Sequence, residues 1–251
     1  MKQQPLLAMV ALNTPSLPSP VVLTKGFETL SGISVDLTSL QSKSGNIVFE
    51  IGKDNAAIAL MPAPIPWSNL EGPCATAWWW PEAAERMKHH ASHILVALVG
   101  DKGDLIQRAI NLTQLTAVVA ASVGAAGVCW GGGTLVHDPQ VFIEQAEEVS
   151  RINLPLLLWI DFRIEQNDDE SYRLFTTGMK VFEHDEIEIP RSTKPPAEIF
   201  NFACSIADYI LTSGKTIQDG ETIGRSAEEK VSVSYGPSMW DSKITAMRLD
   251  F

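Results

Sequence analysis

The segment Pro62–Glu85 reads PAPIPWSNLEGPCATAWWWPEAAE, and it decides how the first part of the chain folds. Pro62, Pro64 and Pro66 recur with a period of two, so in an extended chain their missing N–H groups lie along one edge of a strand. Such an edge cannot pair with a regular neighbouring strand. We therefore expect the chain to leave a sheet at this point, and a helix to begin at Pro81.

The three adjacent tryptophans, Trp78, Trp79 and Trp80, occupy the connection between that sheet edge and the helix. Successive side chains point apart by about 100° in a helix or 180° in a strand, so one core face cannot receive all three. We expect at least one indole at a boundary, which is a cleft wall, a seam between domains or a homodimer interface. The alternative is that all three pack within the chain's own core.

Hydrophobic patterns on either side of this segment predict a first set of elements. They are a strand at Leu6–Leu12, a helix at Val21–Leu30, a hairpin of Asn46–Ile51 with Ala56–Met61, the helix after Pro81, and a strand at His93–Val99. The order strand, helix, strand, strand, helix, strand is that of a ferredoxin-like unit.

The rest of the chain predicts the same order again. The expected elements are a long helix capped by Asp104, a strand at Ala125–Trp130, a helix from Asp138-Pro139, a hairpin of Leu156–Ile164 with Tyr172–Phe182, a strand at Glu186–Ile189, a helix at Ala197–Leu211, and two C-terminal strands. The predicted fold class is therefore α/β (α+β), with two fused ferredoxin-like βαββαβ halves and mainly antiparallel sheets. Residues 1–103 form the first half, and 104–251 form the second with its linking helix, packed as one compact unit.

Composition excludes several classes of function. The 251 residues carry a formal charge of −11, which repels phosphate groups, so we expect binding to neither nucleic acid nor membrane. The apolar runs are too short for a bilayer span or a signal peptide. Cys74, Cys129 and Cys204 form no CxxC pair, which fits reduced thiols. These features predict a soluble, cytoplasmic protein.

Several motifs carry a resemblance to a known family. They are PAPIPW, LEGPCATAWWWP, CWGGGTLVH, WIDFR, LFTTGM and DGETIG, and they are spread over nearly the whole length. With them the chain resembles a bacterial family known only as a domain of unknown function. The resemblance implies a bacterial protein and brings no activity, ligand or catalytic residue with it.

Aromatic residues and a glycine loop are the candidates for ligand binding. The predicted ligand-binding residues are Trp67, Glu71, Trp78, Trp79, Trp80, Trp130, Gly131, Gly132, Gly133 and Thr134. Exposed N–H groups of the glycine loop could hold an anion. The loop lacks the lysine of a P-loop and the spacing of a dinucleotide fingerprint, so close packing beside Trp130 is the alternative.

Cys74 is the candidate nucleophile. If a short helix begins at Gly72-Pro73, its positive end would lower the pKa of the thiol. A base would also be needed, and His90, His93 or His137 could supply one. The alternative is a small buried thiol without a chemical role.

Charged residues in the second half give one further catalytic candidate. Asp161 and Arg163 are two residues apart on a predicted strand and share a face, as a solvated pair or a cross-strand ion pair. Asp161 could act as a base if it is partly buried. We interpret the run Glu183–Glu188 as a solvated acidic turn and strand.

No metal or cofactor is predicted. His89, His90 and His93 lie close in sequence, but HExxH is absent, and histidines at the end of a helix are explained by the helix dipole.

Three functions are compatible with these residues. The first is a non-catalytic binding or regulatory module that holds a small ligand or a protein partner in an aromatic-lined groove. The second is a small-molecule hydrolase or transferase in which Cys74 acts with a histidine and the glycine loop stabilises an oxyanion. The third is a homodimer whose interface contains the tryptophans.

Overall fold

The computed structural model of the chain describes residues 6–100, 103–131, 135–226 and 228–251. The chain divides into two compact units, Met1–Leu158 and Trp159–Phe251, and each unit contains its own sheet. The predicted boundary between residues 103 and 104 falls inside the first unit. In the described residues no helix is both long enough and apolar enough to cross a membrane.

Within the residues that the structure describes, the first unit combines seven strands with helices. Its strands are β1 (Leu6–Leu12), β2 (Gln41–Lys43), β3 (Asn46–Ile51), β4 (Asp54–Met61), β5 (Ser92–Val99), β6 (Gly127–Trp130) and β7 (Leu135–His137). Its helices are α1 (Pro20–Ser31), α2 (Trp67–Thr76), α3 (Ala83–Lys88), α4 (Leu105–Val123), α5 (Pro139–Glu148) and the short α6 (Leu156–Trp159), which ends at the unit boundary.

The described part of the second unit contains six strands and one long helix. Its strands are β8 (Asp161–Gln166), β9 (Tyr172–Thr177), β10 (Glu186–Ser192), β11 (Thr222–Ile223), β12 (Val231–Pro237) and β13 (Thr245–Asp250), with the helix α7 (Pro196–Ser213) and a 3₁₀ turn at Met179–Phe182. The strand order is β11-β12-β13-β10-β9-β8, and β10 and β13 are its parallel pair. The buried face of α7, including Ile199, Phe202 and Ile206, packs against β8, β9 and β10.

The predicted fold class is confirmed, since the chain is a mixed α/β protein with two mainly antiparallel sheets. The ferredoxin-like arrangement is not confirmed in the first unit, where the order is β2-β3-β4-β5-β1-β6-β7. In a split βαβ unit, two strands joined by a helix are parallel and another strand lies between them. Here α2 and α3 connect β4 to β5, and these strands are antiparallel neighbours.

Both predicted helix caps are confirmed. The Asp104 carboxylate accepts hydrogen bonds from the N–H groups of Ile106 and Gln107 at the start of α4. The Asp138 carboxylate caps α5 in the same way, with Pro139 as the first helical residue. These side chains satisfy N–H groups that lack a partner within the helix, so short local patterns determine where both helices begin.

Three local predictions were wrong. Leu156–Trp159 is helical rather than extended, because Pro155 leads into a turn, and the strand begins only at Asp161. The helix expected from Pro81 begins at Ala83. The strand expected at Tyr172–Phe182 ends at Thr177, and a 3₁₀ turn follows at Met179–Phe182. The strand β7, which pairs with β6 before α5 begins, was not predicted.

Candidate functional site

The tryptophan segment covers one face of the first sheet. Alternation along β6 places Gly127 and Cys129 on this face and Val128 and Trp130 on the other. On the first face, α2 and α3 bury an apolar cluster against the sheet. Its members are Met9, Ala11, Ile65, Leu70, Cys74, Ala77, Trp80, Ala83, Met87, Ala126, Cys129 and Val136.

Trp80 belongs to the core of this cluster. Its side chain is buried, and the guanidinium of Arg86 lies 5.9 Å from its ring centroid. A Cβ atom at Gly127 would collide with Met87 Sδ and lie 3.0 Å from Trp80 Cη2. The glycine in β6 therefore lets the indole and the methionine lie directly on the sheet.

Trp79 covers the edge of the same sheet. Its Nε1–H donates to the carbonyl of Val136 over 3.0 Å. Because β7 is the last strand of the sheet, the indole N–H bonds to a carbonyl at the sheet's edge and protects it. The ring also stacks on His137, with centroids 5.9 Å apart and an interplanar angle of 21°.

His137 is held in its neutral form. It lies beneath Trp79 and beside Phe142, and its Nε2–H donates to the carbonyl of Leu158 over 3.2 Å. Burial lowers its pKa to about 4, and the bond to the Leu158 carbonyl only partly opposes this. At neutral pH the imidazole is therefore uncharged, and it acts as an aromatic support for Trp79.

Trp78 is the exposed member of the triplet, with 64% of its surface accessible. Its ring meets that of Trp79 edge-on, with centroids 5.5 Å apart and an interplanar angle of 79°. Since Trp79 is held by a hydrogen bond and by stacking, Trp78 rests on a rigid support. The adjacent indoles thus occupy three environments, at the surface, over the sheet edge and in the core.

The other predicted aromatic residues do not all join this surface. Trp130 is buried on the opposite face of the sheet, where it packs against Phe142 of α5 with ring centroids 6.5 Å apart. Trp67 is partly buried against the same cluster as Trp80, and Glu71 is exposed on α2. The structure does not bring Trp130 onto the face that carries the triplet.

The glycine loop is described only at its first residue. Gly131 has a φ of 63°, and its N–H donates to the carbonyl of Leu7 over 3.2 Å. This left-handed conformation favours glycine and turns the chain out of β6. The predicted residues Gly132, Gly133 and Thr134 lie outside the described residues.

Cys74 lies at the opposite end of its helix from the one expected. The helix α2 begins at Trp67, so Cys74 is in its C-terminal half, where the dipole disfavours a thiolate. Burial raises the pKa of Cys74 to about 11 and that of Cys129, in the same cluster, to about 12. Both thiols are therefore protonated at neutral pH.

The nearby histidines bond to main-chain groups. The N–H of Ile65 donates to Nε2 of His90 over 2.7 Å, and Nδ1–H of His90 donates to the Met87 carbonyl. His93 Nδ1–H donates to the Ala63 carbonyl over 2.8 Å, and burial lowers the pKa of this histidine. These bonds fix the chain where it leaves β4. Among the described residues, no three His, Cys, Asp or Glu side chains are placed to hold a metal ion.

A depression of about 390 Å³ lies beside α3. Its lining residues are Asn13, Glu82, Glu85, Arg86, His89 and Ala126. The spacing of Glu82, Glu85, Arg86 and His89 places them on one exposed helical face. Five of these six residues have polar or charged side chains and none is a predicted tryptophan, so the depression and the surface around Trp78 are separate features.

In the second unit, Asp161 and Arg163 form an ion pair along one strand. Arg163 Nε donates to Asp161 Oδ2 over 2.6 Å, and the aspartate side chain is buried. Burial raises the pKa of Asp161, and the hydrogen bond and charge of Arg163 oppose that shift. Asp161 is buried, as a base would require, but it is already bonded to a cation.

The interpretation of Glu183–Glu188 as a solvated run was wrong for its last two carboxylates. Glu186 is buried and accepts hydrogen bonds from Thr176 Oγ1 over 2.8 Å and from the N–H of Gly178 over 3.0 Å. Glu188 is only 1% exposed. Two carboxylates of this acidic segment, those of Glu186 and Glu188, are therefore buried in the fold.

Glu188 organises the chain between β12 and β13. Its carboxylate accepts hydrogen bonds from Ser238 Oγ over 2.5 Å and from the N–H of Met239 over 3.0 Å. Arg248 Nε lies 3.7 Å from the same carboxylate. The sequence did carry one signal for this arrangement, because the glutamates of EIEI alternate with Ile187 and Ile189, which enter the core.

The fold and these sites define a mixed α/β protein with a tryptophan surface in one unit and a buried carboxylate network in the other. A family model described as a domain of unknown function (DUF4261) matches residues 175–249. The match lies in the second unit and includes Glu188, Trp240 and Arg248, while Trp78 lies outside it. Comparison with curated proteins and with solved structures gives no match.

Proposed function

We propose that the chain is a non-catalytic binding protein whose contact surface in the first unit is centred on Trp78. One observation carries the proposal, which is that a 64% exposed indole stands on a rigid aromatic support. Leaving so large an apolar side chain in water forgoes the free energy that its burial would supply. A partner that covers the indole recovers this free energy.

The support beneath Trp78 favours recognition over incidental exposure. Trp79 is fixed by its bond to the Val136 carbonyl and by its stack on the neutral ring of His137. A contact residue that is already ordered loses little side-chain entropy when a partner binds. Tryptophan is also enriched among the residues that contribute most to binding free energy at protein interfaces.

The state of Cys74 favours a binding role over the hydrolase or transferase alternative. With a pKa of about 11, roughly one thiol in ten thousand is ionised at pH 7. Its position in the C-terminal half of α2 adds no activation. A nucleophile would need the opposite environment.

Site-specific photo-crosslinking tests the proposal. A benzophenone amino acid replaces Trp78 in one variant and Ile152 in a control, because Ile152 is also apolar and is 94% exposed in the same unit. We expect discrete adducts at position 78 in several-fold higher yield than at position 152, after irradiation in cells that express the chain. Equal yields at the two positions would contradict the proposal.

The mass of the adduct identifies what is bound. A small ligand, a protein partner and a second copy of the chain give adducts of different mass. If the adduct is a second copy, light scattering on the unmodified protein and on Trp78→Ser should show a dimer that the substitution weakens. A monomer at every concentration would exclude the homodimer.

A further inference from the structure

The second sheet carries a row of side chains on the face away from α7. Register pairs Arg163 with Phe175, Phe175 with Glu188, Glu188 with Arg248, and Arg248 with Ser234. Directly paired residues project from the same face of a sheet. The row therefore crosses β8, β9, β10, β13 and β12 on the face that α7 leaves uncovered.

A short loop lies over the middle of this row. Ser238 and Met239 bond to the Glu188 carboxylate, and the next residue, Trp240, stacks on Phe175 with ring centroids 4.0 Å apart and an interplanar angle of 23°. Trp240 is nevertheless 52% exposed. The buried carboxylate thus holds an accessible indole in a defined position.

Three guanidinium groups on this face of the sheet reach the solvent. The side chains of Arg163, Arg173 and Arg248 are 32%, 40% and 33% exposed. Two of the carboxylates paired with them lie beneath, since Asp161 and Glu188 are 4% and 1% exposed. Glu165, which pairs with Arg173, is exposed to a similar degree as its partner. The charged groups of this face that reach the solvent are therefore mainly guanidinium groups, each paired with a carboxylate.

The orientation of Arg248 is built into the sheet. A Cβ atom at Gly236 would lie 3.0 Å from Arg248 Nη1 and 3.2 Å from Cζ, so the glycine leaves room for the guanidinium to lie against β12. Nη2 donates to the Pro237 carbonyl. On the other side of the loop, Arg173 Cζ lies 5.9 Å from the Trp240 ring centroid.

We propose that this face, formed by Trp240 and the guanidinium groups of Arg163, Arg173 and Arg248, binds an acidic peptide segment of a partner protein. Guanidinium groups form paired hydrogen bonds with carboxylates, and tryptophan and arginine dominate binding energy at interfaces. Three strand spacings separate Arg163 from Arg248, about 14 Å, which an extended segment with several carboxylates can span. A single small anion cannot.

The buried carboxylates explain why the face is more than a solvated surface. Removing a carboxylate from water is costly, and the apolar core of this unit lies on the other face, against α7. The two carboxylates therefore orient groups on this face. Asp161 bonds to the Arg163 guanidinium, and Glu188 holds the loop that carries Trp240. This site lies in a different unit from Trp78, so either proposal can fail without the other.

The test uses the full chain and a defined probe. The probe is a fluorescein-labelled twelve-residue peptide of alternating glutamate and glycine, and the control peptide has glutamine in place of glutamate. Fluorescence anisotropy at low ionic strength should show saturable binding of the acidic peptide and at least tenfold weaker binding of the control. Added salt should weaken the binding further, because it screens exposed charges.

Variants locate the binding. The substitutions Arg173→Gln and Trp240→Ala should each weaken the binding at least fivefold, and Arg173→Gln combined with Arg248→Gln at least tenfold. Arg151→Gln is the matched control, because Arg151 is similarly exposed and pairs with Asp104 in the first unit. It should leave the affinity within twofold.

Two further measurements keep the result interpretable. Thermal unfolding confirms that each variant is folded, and Trp240→Phe, which keeps an aromatic ring on Phe175, should retain most of the affinity. The proposal is overturned if the acidic peptide does not bind, if the glutamine peptide binds equally well, or if Arg151→Gln weakens the binding as much as Arg173→Gln.

Discussion

The segments that lie over the two sheets are held in place by different interactions. In each unit, a segment that carries an exposed tryptophan lies over one face of the sheet, Trp78 in the first and Trp240 in the second. The first segment is anchored by apolar burial and by the bond from Trp79 to the sheet edge. The second is anchored by the buried carboxylate of Glu188.

This difference determines how each surface should respond to change. Apolar anchoring depends on contact area and shape, and it is insensitive to salt and to single charges. A buried carboxylate contributes through hydrogen bonds that a neutral side chain cannot replace. The segment around Trp78 should therefore be destabilised by a bulky substitution in its apolar cluster, or by acid that protonates His137. The Trp240 loop should be destabilised by loss of the Glu188 charge.

The largest effect is expected from removing the charged anchor. Glu188→Ala leaves Ser238 Oγ and the Met239 N–H without their acceptor and removes the ion-pair partner of Arg248, and the loss should be about 3–5 kcal/mol of unfolding free energy. Chemical denaturation measures it. Glu165→Ala is the control on the same face, because its pair with Arg173 is exposed, and it should cost at most about 1 kcal/mol. Similar losses in the two variants would refute the burial argument.

Acid should weaken the first unit through His137. Its pKa in the fold is about 4, below the ordinary value of 6.5, so its contribution is complete above pH 6.5 and is lost as the pH falls toward 4. The shift corresponds to about 3 kcal/mol. His137→Gln lacks this titration, so the stability gap between wild type and variant should narrow by about that amount from pH 7 to pH 4. A constant gap would show that the imidazole is not buried as described.

A smaller steric effect is expected at the apolar anchor. Gly127→Ala places a methyl group against Met87 and Trp80, and the cost should be about 1–3 kcal/mol. The control is the same substitution on a Met87→Ala background, where the thioether that meets the new methyl group is gone. There Gly127→Ala should cost less than in the unchanged chain. An equal cost on both backgrounds would mean that close packing at β6 is not the cause.

Local structure was predictable wherever one or two residues determine it. The Asp104 and Asp138 caps, the hairpin of β3 and β4, and the departure of the chain from the sheet at its prolines all follow from short patterns. The strand order does not, because the position of β5 between β4 and β1 depends on packing between residues distant in sequence. No local pattern in the sequence carries that information.

The candidate sites were predictable only in part. The adjacency of three tryptophans already required different environments, and the structure provides them. The position of Trp130 on the opposite face followed only from the pairing of β6 with β1 and β7. Glu186 and Glu188 were misjudged because carboxylates are usually solvated, and their hydrogen-bond donors come from other parts of the chain.

The central claim is that the adjacent tryptophans divide between core and contact surface, and the unfolding free energies of Trp78→Ala and Trp80→Ala test it most directly. We predict that Trp80→Ala loses about 3–5 kcal/mol, because it opens a cavity among buried residues. Trp78→Ala should change the free energy by less than about 0.5 kcal/mol, since its indole already faces water. Equal losses in the two variants would mean that Trp78 is a core residue, and would contradict the account.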